Sequence, residues 1–380
     1  MKAGALFILL LVGITGSSCA TMTVASQPQP YESISQSQFY DDLAPYGRWV
    51  QLNHYGLVWQ PWDLPYGWRP YSDGYWVYTD YGWTFESDVP YGWAVYHYGR
   101  WAFDSRFGWV WVPGYEWGPA WVAWRYGDGY VGWAPLAPEV VWSAHGGFGR
   151  GGVDIEIGIG GFAWCFVNEL HFCNRHIRDY LEVPARNVTI IRRSRNVTHY
   201  HVVDNRIMNS SISREDAERF TRQRVERYRV SEARSRSEAG LSPKNDELRI
   251  YQPRVQPLPS RGDVRRSIPN GRVVNSSQSR VARETPEQTQ QRHNEEAKQF
   301  NSQVENQRRR LDNVHQEQLN QPKAKEERQP IVRQQRTEVK TFNQNRSRET
   351  RVLDQRQKME NREVRQQPRQ EKSQPERKGR

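Results

Sequence analysis

Cys165, His171, Cys173 and His176 form the densest cluster of reactive side chains in the sequence. Two Cys and two His can hold zinc tetrahedrally, but the spacing Cys-x7-Cys-x2-His is not that of the common fingers. Two cysteines in an oxidising compartment most simply form one disulfide, so a Cys165–Cys173 bridge is expected; buried free thiols and a metal site are the alternatives. His199 and His201 fall on one face of a strand and read as surface histidines for want of a third ligand. Asp154 and Glu156 are the pair best placed for acid–base work. Strand neighbours two apart lie about 6.5–7 Å from each other at the backbone, a separation that glycosidase carboxylates use. Such pairs normally come from separate segments flanking a cleft, so solvent-facing carboxylates are the expectation here. Gly-x-Ser-x-Gly, His-Glu-x-x-His and a phosphate-binding glycine loop are all missing from the sequence, which predicts no catalytic residue, no metal and no cofactor.

The aromatics carry more information. All 16 Trp lie between Trp49 and Trp164. Asp63-Leu-Pro-Tyr-Gly-Trp68 returns as Asp88-Val-Pro-Tyr-Gly-Trp93, and each copy continues through Tyr, Gly and Trp to a closing Gly-Trp. A shorter unit around Tyr46-Gly47-Arg48-Trp49 aligns with Tyr98-Gly99-Arg100-Trp101, 52 positions on. Exposed Trp and Tyr faces stack on sugar rings. Leu and Ile are too scarce between Asp41 and Pro138 to build another core, which turns most of these rings inward. Tyr66, Trp68, Tyr91 and Trp93, beside Pro65 and Pro90, remain as candidates for glycan stacking.

The elements that would position these residues follow from periodicity. Trp76 and Tyr78 alternate with Val77 and Thr79, and Trp109 and Trp111 flank Val110, between runs of Gly, Asp and Pro. Such alternation predicts tight-turned β-hairpins with aromatics on one face, repeated about every 25 residues and packed against each other. The fold class expected is mainly β, an antiparallel meander or small barrel of hairpin repeats over residues 41–138. A Gly-rich connector and β-rich segment follows over 139–251, with strands at Val153–Ile157, Phe162–Val167, Val188–Arg192, Val197–Val203 and Glu247–Tyr251, and one helix starting at Ser213. Residues 252–380 read as a disordered or partly helical tail. Thr285–Gln321 has the best helical composition there; Phe300, Val304, Leu311 and Val314 keep a partial heptad seam that Gln307 and Gln318 interrupt, and Pro322 ends it.

Charge is concentrated in that tail. Residues 261–380 carry 29 Lys and Arg against 17 Asp and Glu, while the whole chain has a net charge of +11. At the other end, Lys2 and the apolar run Ala3–Ile14 have the form of an export signal, too short for a bilayer span. Gly16-Ser-Ser-Cys19 resembles a lipobox with Gly in place of the usual Leu, which makes Cys19 the lipidation site; ordinary cleavage after Ala20 is the alternative. Residues 1–19 are then a signal peptide and 20–40 a flexible tether. The expected location is the periplasm or outer membrane, with membrane attachment through the N-terminal lipid only.

His97-Tyr-Gly-Arg-Trp101, Gly108-Trp-Val-Trp-Val-Pro-Gly-Tyr-Glu-Trp-Gly-Pro-Ala-Trp-Val-Ala-Trp-Arg125 and Val131-Gly-Trp-Ala-Pro-Leu-Ala-Pro138 resemble an uncharacterised family of bacterial exported, Trp-rich repeat proteins. That resemblance implies export and no known activity, and transfers no functional residue. The reading is a non-enzymatic cell-envelope protein whose basic tail meets polyanionic envelope components or a protein partner; export argues against nucleic acid. A peptidoglycan- or glycan-binding module is the alternative, and a glycan hydrolase a distant third.

Overall fold

The structure, a computed structural model, describes residues 33–142, 147–148, 155–156, 158–256, 273–274, 284–321 and 325–371. The export signal, Cys19 and Asp154 lie outside the described residues.

Four antiparallel hairpins form from the aromatic repeats. They pair Gly47–Leu52 with Gly56–Pro61, Tyr75–Thr79 with Gly82–Glu86, Arg100–Asp104 with Gly108–Val112, and Val122–Gly127 with Tyr130–Pro135. Glycine at the turns supplies the left-handed conformation they need. At Gly82, φ is +76° and a Cβ would run into the backbone of Asn209, so close packing requires glycine as well.

Sequence neighbours do not simply stack. The first hairpin joins the third, with Trp59 opposite Trp111, and both belong to a five-stranded sheet. These are the two units whose sequences align at an offset of 52, and within each the Trp pairs Trp49–Trp59 and Trp101–Trp111 face each other across the ladder. The second hairpin lies inside a seven-stranded mixed sheet that recruits Arg206–Asn209 and Arg227–Glu232 by parallel pairing. The fourth forms a four-stranded sheet with Cys165–Asn168 and Arg195–Asn196. Antiparallel hairpins thus build several open sheets, and no barrel closes among the described residues.

The core is aromatic. Trp59, Trp83, Trp111, Trp121, Trp124, Trp133 and Trp164 are among its fully buried side chains. An indole in a core still needs a partner for its single N–H. For four of them the partners are main-chain carbonyls outside the sheets, Trp59 donating to Leu43 O at 3.0 Å, Trp83 to Ile212 O at 3.0 Å, Trp111 to Tyr98 O at 2.7 Å and Trp133 to Tyr71 O at 2.9 Å. The Trp124 N–H, by contrast, has no hydrogen-bond partner among the described residues. The rings therefore fill volume and tie connecting segments to the sheets.

Several local expectations need correction. Val188–Arg192 is not a strand but part of the helix Asn187–Arg193. β-branched residues favour strands, but buried Asn187 donates to Gly161 O and Trp164 O and fixes the segment from outside. Within the expected strand Val153–Ile157, the described residues Ile155 and Glu156 lie in a turn. The expected strand from Val197 starts only at Tyr200. At Ser213 the expected helix does begin, with Ser213 Oγ accepting from Asp216 N at 3.0 Å.

Candidate functional site on the docked helical hairpin

The tail forms two long helices, Pro286–Asn320 and Lys325–Glu371. Thr285 caps the first through a reciprocal capping box with Gln288, which satisfies N–H groups that a helix start otherwise leaves open. The two helices pack against each other along faces that repeat every eleven residues. On the first, Thr289, Phe300 and Leu311 turn inward together with His293, Val304 and His315; on the second, Glu338, Glu349 and Glu360 do so with Phe342, Leu353 and Val364. Eleven residues make three turns at about 3.67 residues each, close to the 3.6 of a straight helix. Helices on this repeat keep one face together with little supercoiling.

This hairpin is docked on the first Pro-Tyr-Gly-Trp repeat. Tyr66 packs edge-on to Phe300 with ring centroids 5.2 Å apart, and near Phe342 at 6.4 Å. Its backbone is gripped too: Tyr66 N donates to Gln303 Oε1 at 2.7 Å, Tyr66 O accepts from Gln307 at 3.0 Å, and Gly67 N donates to Glu349 Oε2 at 2.7 Å. Gly67 has φ of +74°, and a Cβ there would collide with the Gln307 side chain. Trp62 and Val364 form a second apolar contact.

Buried charges lie between the apolar contacts. Glu360 is fully buried, with His293 Nε2 at 2.8 Å, Arg292 at 2.9 Å and Arg48, from the first hairpin, at 4.0 Å. Burial pushes its carboxyl up, but the His293 hydrogen bond and the charges of Arg48, Arg356 and Arg292 outweigh that and hold it at about 2. Arg48 is lowered instead, because burial, helped by the charges of Arg356 and Arg292, outweighs the pull of Glu360 and Glu363. A second pair, His315 and Glu338 at 2.8 Å, reaches the β-domain through Thr189 Oγ1, which donates to Glu338 at 2.8 Å.

Turning the carboxylates inward leaves a one-sided outer surface. On the second tail helix Arg336, Lys340, Arg351, Lys358, Arg362 and Arg365 are exposed. Lys340, Arg351 and Arg362 keep the eleven-residue spacing, about 16 Å apart along the axis. Between Arg328 and Arg365 the one exposed acid is Asp354. The first tail helix, by contrast, exposes Glu287, Glu295, Glu305 and Glu317 alongside its cations.

The residues singled out by sequence are differently placed. Tyr66 and Trp68 are each 6% exposed and lie under the tail or in the core, so they are not open stacking platforms. The reason is the docked hairpin and the Trp68–Trp101 contact at 5.6 Å. Tyr91 and Trp93 are half-buried: Tyr91 packs on Trp59 at 5.1 Å, and Trp93 on Phe39 at 5.6 Å and Tyr251 at 5.2 Å.

Cys165 and Cys173 are free thiols, not a disulfide. Cys165 is buried on its strand with Sγ 3.9 Å from Pro70 O, while Cys173 packs half-buried at the edge of the same core. Burial raises both, Cys165 against the pull of Arg69 and Cys173 to about 12. Among the described residues no three His, Cys, Asp or Glu side chains converge as a metal set. Glu156 is engaged by Arg125, which donates to both carboxylate oxygens at 2.6 and 2.7 Å, and by Asn196 at 2.9 Å. His199 and His201 stack and share Ser210, whose Oγ is 2.9 and 3.1 Å from their Nδ1 atoms. Sequence reasoning missed the eleven-residue face; its signal was the recurrence of Glu338, Glu349 and Glu360.

Residues 40–140 match a family of unknown function (DUF6600). The match encloses all four aromatic hairpins and stops before the tail helices. No curated protein and no solved structure matches the chain. Among the described residues no helix is long and apolar enough to cross a membrane.

Proposed function

We propose that this protein is a non-enzymatic component of the bacterial cell envelope, exported and tethered by its N-terminus, that meets phosphate-rich polyanions through the second tail helix. The observation behind this reading is the segregation of charge on that helix. Its glutamates at 338, 349 and 360 face inward, and its outer face repeats cations every eleven residues. A row of cations on a rigid rod attracts an extended anionic surface by long-range electrostatics, with affinity that falls as salt rises. The aromatic domain is then the scaffold that holds the rod. The glycan-stacking alternative finds no open ring face at Tyr66 or Trp68 while the hairpin is docked.

Sedimentation with phosphatidylglycerol vesicles and with phosphatidylcholine vesicles tests the reading, with soluble polyphosphate as competitor. Binding to the anionic vesicles should fall steeply between low and physiological salt. It should be lost in the triple variant Lys340→Glu, Arg351→Glu, Arg362→Glu, whose side chains lie away from the helix–helix face. Salt-insensitive binding, or equal binding by the folded triple variant, would overturn it.

A further inference from the structure

A cleft lies between the segment Leu64–Arg69 and the second tail helix, with Trp68, Phe103, Trp109 and Phe162 among its walls. Its volume is about 90 Å³. One water needs about 10–15 Å³ by this kind of measure, so the space suits a ligand of roughly six to nine non-hydrogen atoms.

The polar groups of the cleft are unbalanced. Arg69 lines it and is 3% exposed, yet its Nε and Nη1 have no hydrogen-bond partner. Buried donors left unpaired are costly, and a guanidinium more so. Arg348 adds a cation from the helix side and lies over the Phe162 ring with its guanidinium carbon 4.0 Å from the ring centre, whereas Arg356, also in the lining, is paired with Glu296 at 2.8 Å. Glu349 is the one carboxyl in the lining. Burial raises it to about 7 against the pull of Gly67 N–H, Arg69 and Arg348, so it opposes a bound anion weakly at and below neutral pH. Small apolar pockets with a few convergent polar groups are the usual form of a small-molecule site.

We propose that this cleft binds a small amphipathic carboxylate, with a short alkyl or aryl group among Phe103, Trp109 and Phe162 and the carboxylate on Arg69. The site is separate from the polyanion face, and neither reading depends on the other. Hexanoate fills the available volume and hexan-1-ol matches its chain without the charge, while acetate keeps the charge without the chain.

Isothermal titration of the full chain with these three ligands is the test. Hexanoate should bind about tenfold or more tighter than either control, the effect of one charge-assisted hydrogen bond or more. Arg69→Met should erase the preference over hexan-1-ol, and Phe162→Ala should weaken hexanoate towards the acetate level. Equal affinity of the wild type for hexanoate and hexan-1-ol would overturn the proposal. So would no hexanoate binding, or a preference that survives in folded Arg69→Met. Should Arg69→Met fail to fold, the wild-type ratio and Phe162→Ala still decide.

Discussion

Glu360 links both tail helices to the first hairpin through one buried carboxylate, so Glu360→Gln is the most informative single change. The substitution keeps size and removes the charge that faces Arg48, Arg292, Arg356 and His293. Lowering the carboxyl from 4.5 to about 2 corresponds to about 3 kcal/mol of folded-state stabilisation. A similar figure, about 3–5 kcal/mol, is the usual cost of stranding the partner of a buried ion pair. Arg48 would be that partner: its Nη1 and Nη2 have no hydrogen bond, and only Nε is satisfied, by Gln60 Oε1 at 2.6 Å.

The assay is amide hydrogen exchange resolved by segment. About 3 kcal/mol lowers protection on the order of 100-fold where opening is local, so the two tail helices should lose that much while the strands of the four hairpins hold. The sign of the pH effect follows from the depressed value. Stabilisation is present above about 4.5, where the unfolded chain is ionised, and is lost as pH falls towards about 2. Wild-type tail protection should therefore decay across that window, and Glu360→Gln should show much less of the decay. Unchanged tail protection in the variant, or a loss spread evenly over hairpins and tail, would refute the idea that this carboxylate clamps the tail to the β-domain.

Two further expectations concern the same interface and the thiols. Tyr66→Ala removes a ring held by Phe300 and Phe342 and should cost about 3–5 kcal/mol of docking, as large-to-small core changes do; tail helices that resist limited proteolysis as well as wild type would contradict this. Alkylation followed by peptide mapping should leave Cys165 and Cys173 largely unmodified in the native protein and label both in denaturant without reductant. A linked Cys165–Cys173 peptide before reduction would be the opposing result.

The hairpins were legible because three independent signals agree on them: alternation such as Trp76-Val77-Tyr78, turn glycines such as Gly82, and the repeat itself. The 52-residue alignment even marked the two hairpins that pair at Trp59 and Trp111. What failed was set from outside the local segment. Val188–Arg192 has strand composition, but its conformation is imposed by Asn187 reaching two distant carbonyls. Cys165 and Cys173 are close in sequence, but one faces the core beside Pro70 and the other sits at its edge, which spacing alone cannot reveal.

The tail was harder to read because its apolar residues are few and its period is not seven. A heptad template aligns Phe300, Val304 and Leu311 and then meets Gln307 and Gln318, which look like interruptions. On an eleven-residue template both glutamines are regular positions. Gln307 bonds to Tyr66 O, and Gln318 lies 3.3 Å from Gln335 of the second helix. The inward face need not be apolar, because the β-domain and the opposite helix supply partners for its polar groups: Gly67 for Glu349, His293 for Glu360, His315 for Glu338. This explains why a segment with the composition of a disordered chain is ordered here, and why its charge is directional. Each glutamate committed to the seam removes a negative charge from the surface, so the same repeat that builds the rod also builds its cationic face.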